Sequence, residues 1–518
     1  MDVLGAVLAI TVAIALLFEL ARHLQVPWPS LFVVGGLALG FVPGLPKLQL
    51  EPELVLLVFL PPLLFVAAIE SPVRDLKTDV WPIARLSILL VIITAAVVGA
   101  VVHFVAGLDW GPALAFGAIV GPTDALAATA VFRRIPVPRR IVALVEGESL
   151  FNDATALVLY RTAVIATVSG AFVLTDAVTG FVVSAIGGIA LGVLVGWLAV
   201  QLYRRLSDPP VEVVISLVIP FAAYLPAERL GVSGVLAAVA AGLVVGSRLG
   251  TIIGADTRVL WLSTWKMVNF VLNGFLFVLI GLELPEILGG VQGGTAAELI
   301  GLIVLVAVAV IGSRFVYVEL ASRLSNGPRA QIARIDPELA RRLTVVFGWS
   351  GLRGAVSLAA ALALPVDFPE RNLILLLTFA VIVITLVGQG LTLPYLVRWA
   401  AWDGVEFDGD EANLARAAAY EAGLAEIARL RDRWPGHLEL LDRLESSLRD
   451  RTQHLATEDP GETAERRQER IDHEEIQRGV IGAQRAAVIE LRDRRAINDR
   501  TLRLVERDLD LEELRAEG

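Results

Sequence analysis

The sequence predicts an all-α polytopic membrane protein with a helical cytoplasmic tail, and three observations carry that reading. Hydrophobic residues fill 56% of the 518 positions and charged residues only 19%, against roughly 45–50% and about 25% in soluble domains. The mean hydropathy is +0.69. Charge is also unevenly spread. Residues 1–400 hold 25 acids and 25 bases, whereas the 118 residues from 401 onward hold 29 acids and 19 bases and account for the net charge of −10. This composition excludes a soluble enzyme built on one core. It excludes nucleic-acid binding as well, because no basic face exists to meet phosphates. The absence of cysteine leaves no disulfide framework, thiolate zinc site or cysteine nucleophile, and no cofactor is implied.

A membrane-crossing helix needs about 20 mostly apolar residues. Thirteen stretches are read as such, near 3–21, 28–45, 52–69, 82–105, 111–132, 141–165, 172–203, 211–228, 231–249, 261–284, 296–322, 343–365 and 372–397. The first opens apolar at Val3 with no charged leader, so it reads as a membrane helix rather than a removed signal peptide. The seventh is long and rich in Gly and small residues, which suits a tilted helix. With the N-terminus outside, the inner loops carry 19 bases and the outer loops three, Lys47, Arg229 and Arg371. That asymmetry satisfies the positive-inside rule and places the tail in the cytoplasm. Beyond Trp402-Asp403-Gly404 two amphipathic stretches follow, roughly 411–455 and 463–515. Leu438, Leu441, Leu444 and Leu448 recur at helical spacing, and Pro460-Gly461 marks a break between the stretches. A solvated helical hairpin is the expected form of the tail.

Charge inside a bilayer costs several kcal/mol or more, so each buried charge is a functional candidate. Depth along a helix, at about 1.5 Å per residue, sorts them. Glu19 and Glu319 lie near Arg22 and Arg323 at the inner interface and read as structural. Arg161 falls about 31 Å beyond Arg140, at the outer surface. Asp153, Glu148, Asp124, Arg314 and Arg353 fall roughly 12–20 Å deep. In Glu148-Ser149-Leu150-Phe151-Asn152-Asp153, Ser149 and Asp153 share one helical face, and Glu148 and Asn152 the next. Arg314 matches Glu148 in depth and suits it as an ion-pair partner. Asp153 is then left without a fixed cation. A partly desolvated carboxylate in that position holds a proton or a small hard cation, but not both.

Two helices are interrupted at matching places. Gly121-Pro122-Thr123-Asp124 breaks the fifth segment, where Pro removes a backbone donor. Gly348-Trp349-Ser350-Gly351-Leu352-Arg353-Gly354 breaks the twelfth. Taken as segments 1–6, a linking seventh and 8–13, the chain forms two inverted six-helix repeats with the breaks at equivalent positions. Paired interrupted helices of this kind point to a transporter binding site. Freed carbonyls such as that of Thr123 can ligate a cation, and the half-helix dipoles face the site.

Five blocks resemble the monovalent cation/proton antiporters, specifically the bacterial relatives of the Na⁺/H⁺ exchangers. They are Leu60-Pro61-Pro62, Gly121-Pro122-Thr123-Asp124, Gly147-Glu148-Ser149-Leu150-Phe151-Asn152-Asp153, Ser313-Arg314 and Gly351-Leu352-Arg353-Gly354-Ala355. The tail's Ile497-Asn498-Asp499 and Leu509-Asp510-Leu511-Glu512-Glu513-Leu514 resemble the end of bacterial members. The resemblance implies that Asp153 is the shared Na⁺/H⁺ carboxylate, with Asp124, the Thr123 carbonyl and Ser149 completing or supporting the cation site. It implies that Asn152 marks the electroneutral branch, that Glu148 and Arg314 form a core ion pair, and that Arg353 stabilises the broken helices. It further implies a mobile core (about 82–165 and 296–397), a dimerisation scaffold (about 1–69 and 172–284), elevator-like alternating access, a homodimer, and a place in the cell (inner) membrane serving Na⁺ and pH homeostasis. One departure stands out. Bacterial members often place an acid four residues after the second proline, where this chain has Val66.

The expected function is therefore electroneutral Na⁺ or Li⁺ exchange for H⁺, with K⁺ as the alternative cation. An intramembrane aspartyl protease using Asp124 and Asp153 lacks its Gly-x-Gly-Asp setting, and a protease dyad needs two acids at about 3 Å. A channel needs repeated ligand rings along a pore, whereas the sequence shows one central cluster.

Overall fold

The computed structural model describes residues 2–24, 26–42, 52–71, 85–132, 139–170, 174–290, 295–324, 337–400, 408–455, 480–484 and 486–491, with isolated positions at 135, 137, 494, 505 and 509. No strand occurs among them. Two compact units divide the chain at Glu406 and Phe407.

The first unit opens with α1 (Asp2–Leu24), α2 (Trp28–Gly40) and α3 (Pro52–Glu70). A π-helical turn at Arg85–Leu90 runs into α4 (Val91–Ala106). Next come α5 (Trp110–Val120) and α6 (Ala125–Phe132), separated by Gly121-Pro122-Thr123-Asp124, where the proline cannot continue the ladder. α7 (Arg139–Ser169) and α8 (Leu174–Tyr203) are long and unbroken. α9 (Pro209–Arg229) starts where Asp208 accepts the Val211 N–H, and α10 (Gly234–Ile252) starts where Ser233 accepts the Leu236 N–H. Each cap satisfies one orphan donor of the first turn. α11 (Ala255–Gly290) and α12 (Ala296–Leu324) follow. α13 (Pro337–Trp349) and α14 (Ala355–Leu362) flank the second break. α15 (Arg371–Val383) passes through a π-helical turn at Ile384–Gln389 into α16 (Gly390–Trp399). Among the described residues eight helices are long and apolar enough to cross a bilayer, while α2, the Leu57–Glu70 part of α3 and α5 are shorter apolar helices.

Packing sorts these helices. α8 lies on α10, α10 on α3, and α2 on α11; on the other side α4 packs against α5 and α12, and α5 against α7. Small residues permit the closest crossings. A Cβ on Gly36 of α2 would come within 2.2 Å of the Val278 carbonyl, and one on Gly281 of α11 within 2.2 Å of the Leu37 nitrogen. Without hydrophobic driving force between helices in lipid, such close backbone approach is what holds them. Val66 is 2% exposed and packs in an apolar cluster with Phe65, Tyr203, Trp261 and Trp265. Its side chain is core, so the departure at this position fills space.

The second unit corrects one expectation. The stretch 411–455 is not one helix. α17 (Asp408–Arg433) ends at Trp434, a 3₁₀ turn spans Pro435–His437, and α18 (Leu438–Leu455) resumes. Pro435-Gly436 supplies the break, and the leucine periodicity of α18 hides it. Arg431 closes the turn, donating to Asp442 and to Glu445 at 2.6 Å. Leu441 is buried, whereas Leu438 and Leu444 are exposed. The 457–462 break, nearly all of 463–515, and the bases Lys47, Arg74, Lys77, Arg133, Arg134, Arg329 and Arg334 used for orientation lie outside the described residues.

Candidate ion-binding site

The two broken helices meet main chain to main chain. The Asp124 N–H donates to the Leu352 carbonyl at 2.7 Å. One residue on, the Arg353 N–H donates to Thr385 Oγ1 at 3.1 Å, inside the π-helical turn. The Arg353 side chain reaches the other way. Its Nε donates to the Val120 carbonyl at 3.1 Å, and its guanidinium also holds the Gly351 carbonyl. Val120 is the last residue of α5, so this contact satisfies an orphan carbonyl and puts a cation at the negative end of the half-helix. Arg353 is 1% exposed. Gly354 leaves room for the Asp124 carboxylate, since a Cβ there would fall 1.8 Å from Asp124 Oδ2.

α7 carries the remaining acids. The Glu148 carboxylate meets the Arg314 guanidinium of α12 with two parallel hydrogen bonds, the Nη2–Oε2 contact being 2.9 Å. Both side chains are 1% exposed. Arg314 also donates to the Phe347 carbonyl in the last turn of α13, from Nε at 3.3 Å and Nη2 at 3.2 Å. A buried pair offsets its desolvation only when such further bonds satisfy the leftover donors. Thr123 Oγ1 donates to Glu148 Oε1 at 2.9 Å, and the Asn152 amide donates to Thr123 Oγ1 at 2.9 Å. Asn152 lies 3.4 Å from the Thr123 carbonyl as well. The chain Arg314–Glu148–Thr123–Asn152 thus fixes the first break. Ser149 Oγ accepts the Ala125 N–H at 3.2 Å, which caps the start of α6.

A cavity of about 270 Å³ lies against this framework. Asp153, Asp124, Thr123, Ser149 and Ser357 line it, and it reaches Glu146 and, at the end of α3, Glu70 and Ser71. Asp153 is 7% exposed, and among the described residues no base pairs with it. The four oxygen-bearing residues singled out in the sequence therefore share one wall. Asn152, Glu148, Arg314 and Arg353 stand behind that wall and position it. Several oxygen-bearing side chains around a carboxylate that meets no base among the described residues suit a proton or a hard monovalent cation.

Several participants carry no strong sequence signal. Thr385, the Phe347 carbonyl, and Ser87, which donates to the Glu148 carbonyl at 3.1 Å, are neutral groups on apolar helices. Asn269 and Asn273 of α11 also line the cavity. Their i, i+4 spacing is in the sequence, but uncharged amides in an apolar stretch carry no charge that has to be explained.

Comparison with known proteins gives a consistent result. Residues 7–399 match the family model described as sodium/hydrogen exchanger, transmembrane. An uncharacterized Na⁺/H⁺ exchanger of Mycobacterium tuberculosis is 34% identical over 99% of this chain and 96% of its own length. A sodium, potassium, lithium and rubidium/H⁺ antiporter of Bacillus subtilis is 34% identical over 77% of this chain and 62% of its own. The solved sodium/proton antiporter MjNhaP1 of Methanocaldococcus jannaschii superposes with a TM-score of 0.63 at 20% identity, covering 77% of this chain and 99% of that one, and so shares its fold.

Proposed function

The chain belongs to the sodium/hydrogen exchanger family and is a secondary transporter rather than an enzyme, and from that premise we propose that it exchanges one Na⁺ or Li⁺ for one H⁺ at Asp153. The observation that carries this reading is the division of labour between neighbouring acids. Glu148 is committed to Arg314 and Thr123, while Asp153 faces the cavity with Asp124, Thr123 and Ser149. A proton and a cation compete for one such carboxylate, and competition at one group is enough to couple their movements. Asn152 beside Asp153 has no proton to exchange, which supports one-for-one, electroneutral transport.

Alternating access requires one body to move past another. The helices around the two breaks form the mobile core in this reading, and α1–α3 with α8–α11 form the scaffold and the homodimer contact. The cavity lies where α7 and α14 face α3 and α11, along that boundary. The charge asymmetry of the loops supports a cytoplasmic tail, an external N-terminus and the cell membrane as the location. K⁺ is the second reading, favoured by the potassium in the substrate range of the Bacillus relative.

The test is Asp153→Asn in sealed proteoliposomes, with a pH dye reporting proton movement on addition of Na⁺, Li⁺ or K⁺. The variant folds and moves no protons. Retained exchange in the variant overturns the assignment of Asp153.

A further inference from the structure

Asn269 and Asn273 sit one turn apart on α11 and line the cavity that contains Asp153 and Asp124. The Asn273 amide nitrogen donates to the Asn269 carbonyl at 2.8 Å and to Asn269 Oδ1 at 2.6 Å. Asn273 is 2% exposed, and its own Oδ1 is buried without a hydrogen-bond partner among the described residues. A buried polar atom left unsatisfied is destabilising. Packing alone does not account for that cost, since the flanking residues of α11, including Val271, Leu272 and Phe275, are apolar. An apolar side chain would serve packing better. Asn269 and Asn273 share the cavity lining with Asp153 and Asp124 while standing on a different helix from either acid.

Their chemistry differs from that of the acids in one useful way. An amide oxygen ligates an alkali cation, yet at physiological pH it does not take up a proton. A carboxylate does both. Amide oxygens near the path therefore favour the cation over the proton without adding charge to the site.

We propose that Asn269 and Asn273 form a second, neutral oxygen pair on α11 that replaces part of the cation's water shell as it approaches Asp153, and so sets cation affinity and the order among Li⁺, Na⁺ and K⁺. This assignment rests on the exchange reading above. A ligand of this kind acts on the cation half of the cycle only. The proton half runs on Asp153 and is untouched by it.

The experiment is cation-driven proton movement in proteoliposomes for the full chain, Asn273→Ala, Asn269→Ala and Asn273→Gln, each titrated with LiCl, NaCl and KCl at several pH values. The alanine variants raise the apparent KM for the preferred cation about tenfold, the effect of losing one good ligand, and change the Li⁺/Na⁺/K⁺ ratios. At saturating cation the maximal rate is kept, while at a fixed lower concentration the acid-side pH of half-maximal activity rises, because H⁺ then competes better for Asp153. Asn273→Gln, which retains an amide oxygen, restores most of the affinity. Three unchanged KM values, or a fall in maximal rate alone with the ratios preserved, overturn the proposal. An alanine variant that fails to fold leaves the Gln variant and the Asn269 variant to decide by the same KM and ratio criteria. Absence of exchange in the unaltered protein with every cation counts against the exchange reading itself, so the two failures are distinguishable.

Discussion

The two broken helices do the same topological job by opposite means. The first break is made by a proline and carries oxygens: the Thr123 carbonyl and hydroxyl, and the Asp124 carboxylate. The second is made by glycines and carries a buried cation, Arg353, whose guanidinium holds the Val120 carbonyl at the end of α5. One side supplies the oxygens of the proposed site, and the other supplies charge balance and space. They are joined by a main-chain bond from Asp124 to Leu352. The lesson is that the cavity oxygens are not held by their own helix alone. The first break is braced by Arg314 through Glu148, and the second by Thr385 in the π-helical turn.

That contrast is broken most severely at its brace. Arg314→Met leaves the Glu148 carboxylate buried and uncompensated. It should cost about 3–5 kcal/mol, read as a large fall in thermal unfolding midpoint in detergent. The double variant Glu148→Gln/Arg314→Met should recover part of that loss, because no lone charge remains.

Gly354→Ala comes next. The new Cβ cannot coexist with Asp124 in its present place, so the carboxylate is displaced. Misplacement of about 1 Å can cost a reacting group roughly a hundredfold in rate, and exchange in proteoliposomes should fall by about that much. Thermal stability should change less than in Arg314→Met. A Gly354→Ala protein that transports at the normal rate would show that Asp124 placement is not needed.

Thr385→Val sharpens the second half of the comparison. It removes the acceptor for the Arg353 N–H and keeps the shape. The expected cost is about 1–3 kcal/mol, with the cation order unchanged, because no cavity oxygen is lost.

The smallest effects belong to a third break, Trp434–His437 in the tail. Arg431 holds the Glu445 carboxyl below its ordinary range, chiefly through their hydrogen bond. The contribution of Glu445 is therefore present above the ordinary carboxylate pKa and fades as pH falls through its lowered value. Arg431→Ala should expose the turn to proteolysis at neutral pH. In the unaltered chain the same sensitivity should appear only under acid conditions. Solvent screens such an exposed pair, so transport should not follow.

The contrast between the breaks was partly legible in the sequence. Asp124, Glu148, Asp153, Arg314 and Arg353 announce themselves, because charge in an apolar segment has to be explained. Pro122 and the glycines around Ser350 announce the interruptions. What remained hidden is neutral. Thr385, Ser87, Asn269 and Asn273 resemble the many hydroxyls and amides that bond their own helix, as Thr155 does with the Phe151 carbonyl. Both π-helical turns lie in apolar sequence without a proline. The role of Asn152 as a brace for Thr123 required the tertiary contact to be seen. The Pro435-Gly436 turn was readable but masked by leucine spacing.

The central claim is that a single carboxylate, Asp153, exchanges one proton for one cation. The most direct test sets opposing Na⁺ and pH gradients across proteoliposomes and finds the ratio at which proton movement stops, at several clamped membrane potentials. One-for-one exchange predicts a null point where the Na⁺ and H⁺ concentration ratios are equal, at every potential. A null point that moves with potential would mean that more than one proton travels per cation, and that Asp153 does not act alone.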